Sequence, residues 1–298
     1  YRRRLRELGA VPGPAARAAH EAVLAAESPV RHGLQPEPEH FLGREVDVTG
    51  VLKALSTHRL VTLTGPGGVG KTTLAQVVAA RSRRPAVYVV ALAEVSPGAD
   101  LARVVLDAIG GSAVINGDPH RDLAAALSQP GTVLVLDNCE HLAGEAADLI
   151  GPLLVACPDL RVLATSRRPV DLAAEHVHRL EALNAASSAE LFRARALAAR
   201  PGQVIDDDDL GELLSRLEGI PLAIELAAAR TRSLSVGQIA ERLPGRPDLL
   251  TAARDAPARQ RTLTAVIEWS WNLLDAAERR ALARLALLAD GFTLVPAE

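Results

Sequence analysis

The sequence has no methionine, two cysteines, two lysines and only 2% aromatic residues, and it carries no excess of positive charge. Each scarcity excludes something. Cys139 and Cys157 cannot supply a disulfide framework, so the fold must rest on apolar packing, and a reducing, cytoplasmic setting is expected. No stretch approaches the roughly 18 consecutive apolar residues of a membrane span, and no signal-peptide pattern opens the chain, which argues against a membrane role. A formal net charge of −3 argues against strong nucleic-acid binding by the chain as a whole. Because it begins at Tyr1 and lacks methionine, the chain is expected to be a segment of a longer protein. What is present is ordinary for a globular protein: 298 residues, 48% hydrophobic and 23% charged, enough for two or three domains. The arginine and alanine bias says little about fold. With Lys53 the only other lysine, however, Lys71 stands out.

Lys71 lies in Gly65-Pro66-Gly67-Gly68-Val69-Gly70-Lys71-Thr72, after the apolar run Leu60–Thr64 and before a helical pattern that starts at Thr72. A strand, a glycine-rich loop ending in Gly-Lys-Thr and a helix together make a P-loop. Glycines let the backbone turn tightly enough for its N–H groups to point at phosphate, and the helix N-terminus adds partial positive charge. Gly65, Gly67, Gly68, Val69, Gly70, Lys71, Thr72 and Thr73 are the candidate phosphate-binding residues. Lys71 is the point charge for the β- and γ-phosphates, and the Thr72 hydroxyl is a ligand for Mg²⁺.

Residues 1–27 read as helical, with an arginine run on a solvated face, and residues 28–40, carrying Pro29, Gly33, Pro36 and Pro38, read as a linker. From 41 to about 183, strand patterns at Leu60–Thr64, Ala86–Leu92, Thr132–Asp137, Leu160–Thr165 and His176–Leu180 alternate with helical ones at Thr72–Arg81, Asp100–Ile109, Arg121–Leu127 and Ala143–Ala156. Continuous apolar strands between helices imply an α/β fold, a parallel sheet with helices on both faces. From 184 to 256 the strands disappear and Ala186–Ala199, Asp207–Leu217, Pro221–Arg230 and Val236–Leu243 are helix-periodic. The Asp206–Asp209 run suits a helix start better than a metal site. Prolines mark another boundary before two further helices, Thr262–Leu274 and Asp275–Ala289, in which at least one of Trp269 and Trp271 is read as core packing.

Val133-Leu134-Val135-Leu136-Asp137 has the form of a Walker B strand, and Asp137 would hold Mg²⁺ opposite Thr72. Asn138 stands where many P-loop ATPases place a second acid, so Glu140 is the remaining candidate to orient or deprotonate water, against a plain surface reading for it. Slow turnover follows. Thr165-Ser166-Arg167 ends the next strand, and Arg167 is the candidate γ-phosphate sensor in preference to Arg168. Cys139 and His141 carry no metal signature.

These motifs, with Phe41-Leu42-Gly43-Arg44-Glu45 before them and Gly219-Ile220-Pro221-Leu222-Ala223-Ile224-Glu225-Leu226 after them, occur in an order that resembles the NB-ARC nucleotide-binding module of STAND signal-transduction ATPases. The local wording is similar to that of the large SARP-type (Streptomyces antibiotic regulatory protein) transcriptional regulators. The resemblance implies that residues 1–27 end a helical bacterial transcriptional activation domain. It makes 41–183 the P-loop domain, 184–256 an all-α lid, and 257–298 the start of a winged-helix domain. It puts Phe41, Leu42 and Arg44 beside adenine and ribose, Pro221 on the base from the lid, and Arg167 at the γ-phosphate. The implied ligands are ATP, ADP and Mg²⁺. The implied partners are further copies in the ATP state, other domains of the same regulator, and DNA through a domain N-terminal to Tyr1. The expectation is a slow ATP/ADP switch in antibiotic-type transcription regulation. An ordinary AAA+-like ATPase and a non-hydrolysing nucleotide-bound module remain the alternatives.

Overall fold

The computed structural model describes residues 29–38, 41–110, 117–245, 249–251, 262–272 and 274–286. The helical reading of residues 1–27 lies outside them. Six strands, β1 (Val30–His32), β2 (Leu60–Thr64), β3 (Ala86–Ala91), β4 (Thr132–Asp137), β5 (Arg161–Thr165) and β6 (Glu175–Arg179), form one sheet in the order β1-β3-β4-β5-β2-β6. Every pairing is parallel. The helices among them are α1 (Glu45–Thr57), α2 (Lys71–Arg81), α3 (Leu101–Ala108), α4 (Pro119–Leu127) and α5 (Ala143–Ala156).

The strands are apolar on both sides because both faces are covered. Successive residues of β4 feed opposite cores. Leu134 and Leu136 join the core containing α3, α4 and α5, while Val133 and Val135 join that of α1 and α2. The same alternation divides Val162 and Ala164 of β5 from Leu163. Fully burying a side chain of this size stabilises the fold by about 1.5–3 kcal/mol, so the two cores together position the sheet edge on which the motifs sit.

Two elements depart from the sequence reading. The stretch read as a linker supplies β1, an edge strand in register with β3 from Val30↔Ala86 to His32↔Tyr88. Three residues next to prolines give no period to read. Helix α1 is the second departure: Val48, Val51 and Leu55 bury one helical face. Gly50 and the β-branched residues around it hide that pattern.

After the sheet come α6 (Ala185–Ala199), α7 (Asp207–Leu217), α8 (Pro221–Arg230) and α9 (Val236–Arg242), which share a third core around Phe192, Leu213 and Ile224. Asp206 caps α7, accepting hydrogen bonds from the backbone N–H groups of Asp208 and Asp209, and this accounts for the start of the aspartate run. Two further helices are α10 (Leu263–Asn272) and α11 (Ala276–Leu285), the latter opened by a capping box of Asp275 and Glu278. Trp271 of α10 is 39% exposed beneath the Arg279 guanidinium, so it does not pack a core. The Trp269 side chain lies outside the described residues. Among the described residues no helix is long and apolar enough to cross a membrane.

Candidate functional site

All strands run the same way, so their carboxyl ends share one edge, where α/β sheets bind ligands. At the end of β2 the chain turns through Gly65, Gly68 and Gly70, with φ of +151°, +78° and +101°. Gly70 is the residue before α2 and has no neighbour within 4 Å of where a Cβ would stand. A left-handed residue opening onto free space beside a helix N-terminus is the backbone form a phosphate cradle requires. The Lys71 ammonium donates to the carbonyls of Gly65 (2.8 Å) and Pro66 (3.0 Å). Burial pushes it down to about 8. Glu140 opposes that shift, Arg167 adds to it and Asp137 opposes it.

The end of β4 reaches the same edge. Oδ1 of Asp137 accepts hydrogen bonds from the hydroxyls of Thr72 (2.8 Å) and Thr165 (2.6 Å), and the backbone N–H of Asn138 donates to the Thr165 hydroxyl (2.8 Å). The ends of β4 and β5 and the start of α2 are thus tied at one carboxylate. The chain passes Asn138 at φ +73°, a conformation asparagine tolerates better than most residues.

Glu140 is not a surface residue. It is 7% exposed, and its Oε1 accepts from the Arg167 guanidinium at 3.2 Å. The candidate water-orienting acid and the candidate γ-phosphate sensor therefore form one ion pair, Glu140 buried and Arg167 partly so. Cys139 is buried, and burial pushes its thiol up, which makes it an inert part of the wall. His141 holds the Val95 carbonyl at 2.9 Å.

One cavity gathers most of these residues. Phe41, Leu42, Arg44, Gly67, Gly68, Val69, Gly70, Lys71, Thr72, Thr73, Arg167 and Pro221 all line it. Gly65, Asp137 and Glu140 do not. Gly65 is tucked against the Leu180 carbonyl, and the two acids stand behind Thr72 and Arg167. Arg44 is buried, donating to the Val69 carbonyl (3.1 Å) and to Asp47 (3.3 Å). Sequence reasoning missed Leu183, Leu191, Leu222 and Glu225 as lining residues. It placed Asn138 in the second-acid position and Thr165 in the Thr165-Ser166-Arg167 strand end, neither as a lining residue. Glu225, one helical turn beyond Pro221, accepts two bonds from Arg195 at 2.8 and 3.1 Å. Its position in the Gly-Ile-Pro segment was the available signal.

The helices that follow the sheet meet the P-loop directly. The N–H of Leu222 donates to the Gly68 carbonyl at 3.2 Å, and the N–H of Leu183 to the Gly219 carbonyl at 2.9 Å. A Cβ on Gly219 would stand 2.2 Å from the Leu183 carbonyl oxygen.

Two buried polar atoms here lack a partner: Nδ2 of Asn138 and Oε2 of Glu140. One is a donor, the other an acceptor, beside a cationic lysine and a threonine–aspartate pair. That donor set fits a polyphosphate with a divalent cation, Thr72 and Asp137 suiting the cation and Lys71 and the loop amides the phosphates. Among the described residues no group of three or more His, Cys, Asp or Glu is arranged to hold a metal by protein ligands alone.

Comparison with known proteins agrees with this geometry. A protein-family model described as "AAA domain" matches residues 53–173. The chain is 41% identical over 250 residues to "Putative HTH-type transcriptional regulator Rv0890c" of Mycobacterium tuberculosis, which covers 80% of this chain and 28% of that protein. It is 31% identical over 271 residues to "Regulatory protein AfsR" of Streptomyces griseus, covering 84% and 27%. It thus spans less than a third of the length of either regulator. The Walker-type ATPase paby2304 of Pyrococcus abyssi aligns with a TM-score of 0.53 over 84% of this chain and 78% of its own, at 15% identity, a likeness of fold. "Uncharacterized protein Rv0894" of Mycobacterium tuberculosis is 38% identical over 273 residues, 89% of this chain and 70% of its own length. The chain belongs to the same family as Rv0894, and it is built on an AAA-type P-loop NTPase domain.

Proposed function

We propose that this chain is the nucleotide-controlled switch of a transcriptional regulator, a slow ATPase that changes assembly state with the nucleotide it holds. The observation that carries this reading is the backbone bond from Leu222 in the lid to Gly68 in the P-loop. A ligand between lid and sheet would touch both, and its γ-phosphate would fall on the loop that the lid grips. ATP and ADP would then favour different lid positions, which is what a switch needs.

In this reading residues 41–183 hold the nucleotide and residues 184–256 close over it. Residues 257–298 begin a winged-helix domain of the NB-ARC and STAND kind, and residues 1–27 end an activation domain. Lys71, Thr73 and the loop amides of Gly67 to Gly70 bind phosphate. Thr72 and Asp137 hold Mg²⁺, which would supply positive charge to the β- and γ-phosphates. Phe41, Leu42 and Pro221 enclose the base and Arg44 steadies the loop. Glu140 orients the attacking water and Arg167 senses the γ-phosphate. Asn138, with no acid in its place, makes the hydrolytic site weak, which suits a timer better than a motor. The names of Rv0890c and AfsR support a regulatory setting of the SARP type, in which sequence-reading DNA contact would belong mainly to another part of the protein.

The test is light scattering on the protein loaded with Mg-ADP or with a non-hydrolysable ATP analogue. The expected result is a monomer with ADP and a larger assembly with the analogue. Identical masses would overturn the switch and leave a nucleotide-bound interaction module.

A further inference from the structure

The opposite edge of the sheet carries its own pattern. Arg59 immediately precedes β2, Arg84 lies just before β3, Arg161 opens β5, and Arg83 follows α2. The registers Leu60↔Val162 and Val133↔Arg161 place these positions at one edge, the amino-terminal one, away from the P-loop. A hollow there is lined by Arg81, Arg83 and Arg84 together with Leu52, Ser56 and Val133.

Some of these arginines have structural work. Arg59 donates to the carbonyls of Leu154 and Cys157 at the end of α5, and Arg81 is paired with Glu37 and Glu45. Arg83, Arg84 and Arg161 have no carboxylate partner among the described residues. Arg161 buries its Nε without an acceptor. Burial, then repulsion from Arg84 and Arg59, lowers the Arg161 pKa, and only Asp159 opposes. Like charges held together at an energetic cost call for an anion.

We propose that this edge is a second, separate binding surface, one that takes the phosphodiester backbone of nucleic acid. From β3 to β5, the strands beside which Arg84 and Arg161 stand, is two strand spacings, about 10 Å. That is too wide for one phosphate and matches roughly three steps of a duplex strand at about 3.4 Å each. Guanidinium groups suit phosphate oxygens by shape as well as charge. Binding of this kind reads no sequence. The net charge of −3 does not speak against it, because it sums the whole chain while the arginines are segregated on one edge.

The experiment is fluorescence anisotropy of a short labelled DNA duplex of arbitrary sequence with the whole chain. With Arg83, Arg84 and Arg161 each neutralising one phosphate, affinity is expected to fall about 40-fold between roughly 50 and 200 mM salt. The double variant Arg83→Gln/Arg84→Gln is expected to bind at least about tenfold more weakly and to lose most of the salt dependence, with melting temperature and ADP affinity unchanged. Arg83→Glu/Arg84→Glu is expected to abolish binding. Failure of the wild type to bind at low salt, or equal binding by the Gln variant, would overturn the proposal. So would tighter binding of labelled poly-glutamate than of the duplex, which would identify an acidic protein partner instead.

Discussion

At the scale of single residues, the site is organised by which charges are compensated. Asp137 accepts two hydroxyls, and Glu140 has one oxygen on Arg167 and one without a partner. Lys71 is the sensitive member. Its pKa of about 8 lies below the ordinary 10.5, so above about pH 8 the free protein increasingly holds a neutral lysine. An anion favours the charged form, so binding must then take up a proton. ATP affinity should therefore be flat below about pH 7.5 and fall by up to tenfold per pH unit above about 8. Lys71→Gln should bind more weakly at every pH and lose that slope. Titration calorimetry across this range checks it, and a wild-type profile flat to about pH 9.5 would contradict the phosphate role of Lys71. The same shift acts on folding with the opposite slope. The unfolded lysine binds more protons between pH 8 and 10.5, so this group's contribution to stability rises with pH there.

Glu140→Gln keeps the shape and removes the charge. If Glu140 orients water, steady-state ATP hydrolysis should drop by about 10² or more while ADP affinity changes only a few-fold. An unchanged, measurable rate would remove Glu140 from the chemistry. Arg167→Ala leaves a carboxylate buried without its cation. It should cost about 3 kcal/mol in denaturant unfolding, more than a surface arginine would.

At the scale of elements, the proposed lid meets the sheet through glycine geometry. Gly219 has φ +67° and no room for a Cβ, whereas Gly211 lies in the exposed face of α7 with nothing near it. Gly219→Ala should destabilise by about 2–3 kcal/mol and weaken nucleotide binding with it. Gly211→Ala should stabilise by about 0.5–1 kcal/mol. Chemical unfolding of both variants checks the pair, and equal effects would mean that the Gly219–Leu183 contact does not hold the lid.

The P-loop, the Walker B strand and the strand–helix alternation were legible because each is a local pattern with its own period or spacing. The bounds of β2 and β4 agree with it to the residue. Edge strand β1 was not legible, since its three residues gain their strand identity only from β3. Leu183, Leu191 and Glu225 were missed for a related reason: they reach the cavity by the docking of α6 and α8, which no local spacing encodes. Glu140 stands open between surface and site in the sequence because its burial depends on Arg167, a partner just past the end of another strand.

At the scale of the whole molecule, the sheet has two edges of opposite character. The carboxyl edge holds the glycine-rich loop and a mixed set of charges, Lys71, Arg44 and Arg167 with Asp137, Glu140 and Glu225, and the amino edge holds Arg59, Arg83, Arg84 and Arg161, the last three without a carboxylate partner among the described residues. The proposed lid meets the first at Gly68. In the proposed switch that division would let nucleotide state be felt through the lid without disturbing the other edge, since close-packed cores of the kind that lie between them resist deformation.

The most direct test of the lid-and-sheet clamp is to denature the purified protein and identify the released nucleotide by chromatography. The account predicts about one ADP per chain, retained through purification and lost in Lys71→Gln. Protein that releases no nucleotide and binds neither added Mg-ADP nor Mg-ATP would contradict it.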